Sequence, residues 1–195
     1  MDRLDGTGNE ACPIDAGKVH KSHGIGHMHR SHGLTLIAQS VRKKIESLIK
    51  PGSVILDFGC GAGHYCRFLD KYASKLYCVD ISEDALLETK AAVPRAIAMK
   101  DTLGIDTGSV DLVLFANSFH DVEDKGNVVA EMDRILSGGG RIVILDWKKE
   151  EADTGPPYRL RMSESDYLKL FSGYVILERF DTPSTHFGMV LAKAK

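Results

Sequence analysis

The sequence predicts an α/β fold: a doubly wound, mostly parallel, seven-stranded sheet with an antiparallel C-terminal strand. Three observations carry this expectation. Short apolar bursts alternate with helical segments, which is the pattern of buried parallel strands joined by crossovers. A glycine-rich turn joins the first burst to the helix after it. The last two bursts stand too close for a crossover helix, so they should pair antiparallel at or near one edge.

Residues 1–33 differ from the rest of the chain. They hold five of the eight histidines and show neither helical nor strand periodicity, so they read as an N-terminal arm. From 34 to 50, Leu34, Leu36, Ile37, Val41, Ile45, Leu48 and Ile49 recur at helical steps, and Pro51-Gly52 stops the run. Strands follow at Val54 to Phe58, Leu76 to Val79, Ala96 to Met99, Val110 to Phe115 and Arg141 to Leu145. The crossover helices are 64–71, 83–91 and 123–136, the second opened by Ser82 as its cap and the third ended by Ser137-Gly138-Gly139-Gly140. A charged loop from Lys148 to Pro157 and a short helix near Ser163 to Phe171 precede the last strands, Tyr174 to Phe180 and Phe187 to Ala192.

At 195 residues the chain suffices for one sizeable core, here assigned to residues 34–195. With 43% hydrophobic and 27% charged residues it is no disordered or fibrous chain. Lys and Arg number 25 against 27 Asp and Glu, so no broad basic face is expected and no nucleic-acid partner. No apolar stretch is long enough for a membrane span, and the polar first thirty residues lack a signal-peptide centre; a cytoplasmic protein is expected. Of the four cysteines, Cys60, Cys66 and Cys78 lie in apolar runs, which points to reduced, partly buried thiols and no disulfide.

The chemistry lies in Val54-Ile55-Leu56-Asp57-Phe58-Gly59-Cys60-Gly61-Ala62-Gly63-His64-Tyr65. Its glycines let backbone approach a ligand, and the next helix starts with its amides aimed at that ligand. In the dinucleotide fingerprint a third glycine falls at position 64. His64 stands there, which disfavours a nicotinamide or flavin cofactor.

The Asp-x-Gly-x-Gly-x-Gly spacing resembles the opening motif of the class I S-adenosylmethionine-dependent methyltransferases, which are Rossmann-like. Leu76 to Ser82 is similar to that family's second strand, ending in the acid that takes the ribose hydroxyls, here Asp80 followed by Ile81. Asp101-Thr102 resembles the adenine contact. Ser109 to Asn117 resembles the fourth strand, whose end lies under the methionine part of the cofactor. Arg134 to Ile144 matches the helix, glycine turn and fifth strand of small type 11 members near the ubiquinone/menaquinone-biosynthesis C-methyltransferase branch. The resemblance covers about residues 35 to 192. It implies S-adenosylmethionine held by Asp57, Gly59, Cys60, Gly61, Gly63, Asp80, Ile81, Asp101, Thr102 and Asn117. For Asp57 two roles stay open: holding the cofactor's ammonium group, directly or through water, or capping the following helix.

Methyl transfer from a sulfonium is a displacement helped by alignment in a water-poor pocket. If the acceptor must lose a proton, His120 is the candidate base, with Asp121 beside it. Amino-methyltransferases of nucleobases resemble one another in a proline-rich loop after the fourth strand. Asn117-Ser118-Phe119-His120 stands there instead, and Pro156-Pro157-Tyr158 follows the fifth strand. With no large insertion, the expected acceptor is a small molecule. The alternative is a non-catalytic cofactor-binding or regulatory protein of the same fold.

In the arm, His20, His23 and His27 are the candidate metal ligands, but no pair of spacings there reproduces a zinc signature and no metal is expected. The arm should instead pack beside the cofactor cleft as a partial lid.

Overall fold

The structure, a computed structural model, describes residues 37–195. Helix α1 (Gln39–Leu48) leads into β1 (Val54–Phe58), α2 (His64–Leu69), β2 (Lys75–Val79), α3 (Glu83–Ala92) and β3 (Ile97–Met99). Next come β4 (Val110–Ala116), α4 (Lys125–Ile135), β5 (Leu136–Trp147), α5 (Glu164–Leu170), β6 (Tyr174–Arg179) and β7 (His186–Lys193). The seven strands form one sheet in the order β3-β2-β1-β4-β5-β7-β6. The first five are parallel, and β7 runs antiparallel to both β5 and β6. This is the expected architecture.

Period-two alternation sends each central strand's residues to two cores. Leu56, Val113, Phe115 and Ile144 face α4 and α5 through Met132, Ile135, Tyr167 and Phe171. Ile55, Leu112, Leu114 and Val143 face α1, α2 and α3 through Val41, Ile45, Phe68, Leu69 and Leu86. With helices on both faces, the strand order reverses between β1 and β4, and a crevice opens beyond the carboxyl ends of these two strands.

Two expectations need correction. The glycines at 138–140 do not form a turn: β5 already starts at Leu136, opposite Val110, and the register shifts before Leu112 pairs with Arg141. Gly140 belongs there because a Cβ would lie 2.7 Å from the Leu136 side chain and 3.0 Å from the Val110 carbonyl. The second concerns the cysteines. Cys66 of α2 packs down onto Cys78 of β2 and the two form a disulfide; Cys60 stays a free, buried thiol. Their apolar surroundings reflect burial at one helix–sheet contact, which brings two residues 12 apart in sequence together.

Among the described residues no helix is long and apolar enough to cross a membrane. The arm at 1–33, with its expected lid role and its histidines, lies outside the described residues.

Candidate cofactor site

Strand β1 carries Asp57 and Phe58 to its carboxyl end, where the chain turns through Gly59, at φ 72°, toward α2. The N–H groups of Gly59 and Cys60 donate to the Val79 carbonyl at 2.7 and 3.0 Å, tying the turn to the end of β2. A Cβ on Gly59 would stand 2.3 Å from that of Ser118, so the turn passes directly against the residue chain following β4. Ser118 completes the join by donating from Oγ to the Phe58 carbonyl at 2.6 Å.

Asp80 lies just beyond β2. Its Oδ2 accepts from the Gly61 N–H at 2.8 Å and its Oδ1 from the Ser82 N–H at 2.9 Å, so one carboxylate links the glycine turn to the start of α3. Each oxygen keeps a lone pair for a ligand hydroxyl. Phe58, Val79, Ile81 and Val122 give the adjoining cleft apolar walls, while Asp80, Lys100 and Ser118 supply its polar groups.

Asp57 is 2% exposed. Burial, reinforced by the charge of Asp80, pushes its carboxyl up to about 7. Two carboxyl groups thus converge beside a glycine turn, and among the described residues no cation offsets an ionised Asp57 there.

The remaining expected contacts divide. Asn117 adopts φ 56°, the one non-glycine residue with positive φ among the described residues, and its N–H caps the β4–β5 ladder at the Leu145 carbonyl, 2.9 Å away. Asp101 accepts from the Leu103 N–H at 3.0 Å and follows in sequence Lys100, which lines the cleft. Thr102 turns elsewhere: buried, it donates from Oγ1 to Glu131 of α4 at 2.7 Å. The Cys60 thiol faces Thr89 of α3 at 4.0 Å, and burial pushes it far above the ordinary thiol range. Gly63, at φ 77°, also packs on Thr89, where a Cβ would lie 2.7 Å from Oγ1.

A second polar cluster follows Ser118. In the short turn Phe119–Asp121, His120 is buried, with Nδ1 2.8 Å from Asp146 Oδ1 and Nε2 3.4 Å from Asp121 Oδ2. Asp146, near the end of β5, also accepts from the Trp147 N–H at 2.7 Å and from the Tyr167 hydroxyl. Lys125 donates from Nζ to the carbonyls of His120 and Val122 at 3.1 and 2.5 Å, fixing the turn from α4. Burial pushes the His120 imidazole down, but the Asp146 hydrogen bond and charge, with that of Asp121, outweigh it and hold it above the ordinary value.

Sequence reasoning did not single out Lys100, Ser118, Val122, Asp146 or Tyr167. For Asp146 a signal existed: like Asp57, it is an acid ending a buried apolar strand, a place where a carboxylate needs a partner or a ligand. Among the described residues no three His, Cys, Asp or Glu side chains are grouped to hold a metal ion, and His20, His23 and His27 lie outside them.

The type 11 family model, described as a methyltransferase domain, matches residues 56–144, which contain the glycine turn, Asp80 and the turn after β4. A solved structure from Sulfolobus solfataricus assigned to the type 11 methyltransferases is 47% identical, with a TM-score of 0.72 over 73% of this chain and 85% of that one. The chain belongs to the type 11 methyltransferases. An S-adenosylmethionine-dependent methyltransferase from Aquifex aeolicus, 24% identical, shares the fold with a TM-score of 0.70 over 78% of this chain and 88% of that one. Among curated relatives, the ubiquinone/menaquinone biosynthesis C-methyltransferase of Bordetella parapertussis is 27% identical over 123 residues, 58% of this type 11 chain and 48% of that protein. The sarcosine/dimethylglycine N-methyltransferase of Halorhodospira halochloris is 29% identical over 126 residues, 56% and 45% of the two chains. The type 11 chain therefore spans about half the length of the curated relatives it matches.

Proposed function

We propose that this type 11 methyltransferase transfers a methyl group from S-adenosylmethionine to a small-molecule acceptor. The observation that carries the reading is the buried carboxyl of Asp57 beside the carboxylate of Asp80 at the glycine turn, because a buried acid whose ionisation a neighbouring negative charge opposes favours a cationic ligand. S-adenosylmethionine is such a cation, with an ammonium and a sulfonium, and it supplies the electrophilic methyl.

The residues present fit that cofactor. Asp80 accepts from the ribose hydroxyls through its free lone pairs. Phe58, Val79, Ile81 and Val122 form the dry walls that a planar base requires, and Asp101, one residue beyond the cleft-lining Lys100, takes its amine. Asp57 receives the ammonium, and Gly59, Gly61, Gly63 and Asn117 shape the backbone around the amino-acid part. Cys60 and Thr102 support the turn and the rim from behind.

His120 takes the proton from an acceptor that must lose one. Asp146 holds its Nδ1 at 2.8 Å, and Nε2, with the longer 3.4 Å approach of Asp121, is the site of proton exchange. A small acceptor agrees with relatives whose names concern quinone biosynthesis and sarcosine or dimethylglycine. Incubation with methyl-labelled S-adenosylmethionine and a fractionated cell extract tests the reading. Label is expected in the small-molecule fraction; label confined to protein or nucleic acid, or none transferred, overturns it.

A further inference from the structure

Asp57 of β1 and Cys78 of β2 are lateral neighbours in the parallel ladder, so their side chains leave the sheet on the same face, under α2. Cys66 comes down from α2 onto both: it is bonded to Cys78, and its sulfur lies 3.2 Å from Asp57 Oδ2. Both cysteines are 0% exposed. A disulfide sulfur carries no hydrogen, whereas a Cys66 thiol at that distance donates to the carboxylate.

We propose that Cys66 and Cys78 are a redox site coupled to the cofactor site: reduction gives Asp57 a thiol donor that the disulfide withdraws, and so tightens cofactor binding. This rests on the reading of Asp57 as the holder of the cofactor's ammonium group. Oxidation joins the two sulfurs with loss of two protons and two electrons, the electrons passing to a peroxide or a small disulfide; a dithiol reductant reverses the step and leaves as its own disulfide. The donor acts because Asp57 is poised near neutrality by burial and by Asp80, so a single hydrogen bond shifts its ionisation. Among the described residues, the other titratable groups facing it are Cys60 in the turn and Tyr65 on α2, and burial holds both of them neutral. Coupling runs both ways. A cofactor that binds the reduced form more tightly shifts the cysteine pair toward the dithiol by the same factor.

The test is calorimetric titration of S-adenosylhomocysteine into the full chain, with Cys12 replaced by Ser, in the peroxide-oxidised and the dithiothreitol-reduced forms, with thiols counted before each run. At pH 6 the reduced form is expected to bind about five- to tenfold more tightly, the factor by which a carboxyl near 7 is under-ionised there; at pH 8 the two should agree within about twofold. Cys66→Ser keeps a donor without the cross-link and should follow the reduced form. Cys66→Ala keeps neither and should follow the oxidised form at pH 6, while Cys78→Ala, which leaves the Cys66 thiol, checks the result if Cys66→Ala does not fold. Equal affinities at pH 6, Cys66→Ala binding as tightly as Cys66→Ser, or a pair that peroxide cannot oxidise overturns the proposal. If neither form binds, it is the cofactor reading that fails, and this proposal with it.

Discussion

His120 Nδ1 stands 2.8 Å from Asp146 Oδ1, and both side chains are withdrawn from solvent. The pair joins the turn after β4 to the end of β5, and Tyr167 brings in α5 through the second carboxylate oxygen. Replacing Asp146 by Ala leaves an imidazole and a phenol buried without their acceptor, a loss of about 3–5 kcal/mol in chemical denaturation. Asp146→Asn keeps the shape and should lower the His120 titration midpoint in NMR. Because the folded His120 binds its proton more tightly than the unfolded chain does, its contribution is complete below about pH 6.5 and fades as pH rises through the folded value. His120→Gln should remove that part of the pH dependence.

Asp57 sets stability against binding. Its carboxyl is raised from 3.8 to about 7 in the folded protein, so the folded state favours the protonated acid, and ionising it costs stability progressively between those values. Asp57→Asn should therefore stabilise the cofactor-free protein above pH 7 by roughly 2–4 kcal/mol while weakening S-adenosylmethionine binding at least about tenfold. A variant that gains stability and keeps full affinity would show that Asp57 does not meet the ammonium group.

Asp80→Asn retains an acceptor for the Gly61 N–H but loses the one for the Ser82 N–H, and its charge. Stability should fall by only about 1–2 kcal/mol, while cofactor affinity falls at least about tenfold as charge-assisted bonds to the ribose are lost. Undiminished affinity contradicts the ribose assignment.

The turn's glycines should differ in their tolerance. Gly59→Ala drives a methyl into Ser118 at 2.3 Å in a left-handed conformation, and should cost about 3 kcal/mol or more and abolish cofactor binding. At Gly61 a Cβ meets nothing within 4 Å, so Gly61→Ala should cost only about 1–2 kcal/mol of backbone strain.

Most of the sheet was legible because buried parallel strands write themselves as apolar runs, such as Val54 to Phe58 and Val110 to Phe115. The glycine run at 138–140 misled, since the same residues that make a turn also permit the close approach of β5 to Val110. Asp57 and Asp80 could be placed because they end strands beside a recognisable turn. Asp146 and the Cys66–Cys78 bond could not, because each depends on which residues a crossover brings face to face: His120 onto β5, and α2 onto β2. Thr102 shows the converse, a motif position whose side chain the packing of α4 turned away from the cleft.

The most direct test of the cofactor site is calorimetry of S-adenosylmethionine binding to the disulfide-bonded protein at pH 7 in two buffers of different ionisation enthalpy. The account predicts one cofactor per chain and release of about half a proton to the buffer, because an arriving cation completes the ionisation of a carboxyl near 7. Absence of binding in both the oxidised and the reduced protein, or binding to the oxidised protein with no proton released, would contradict it.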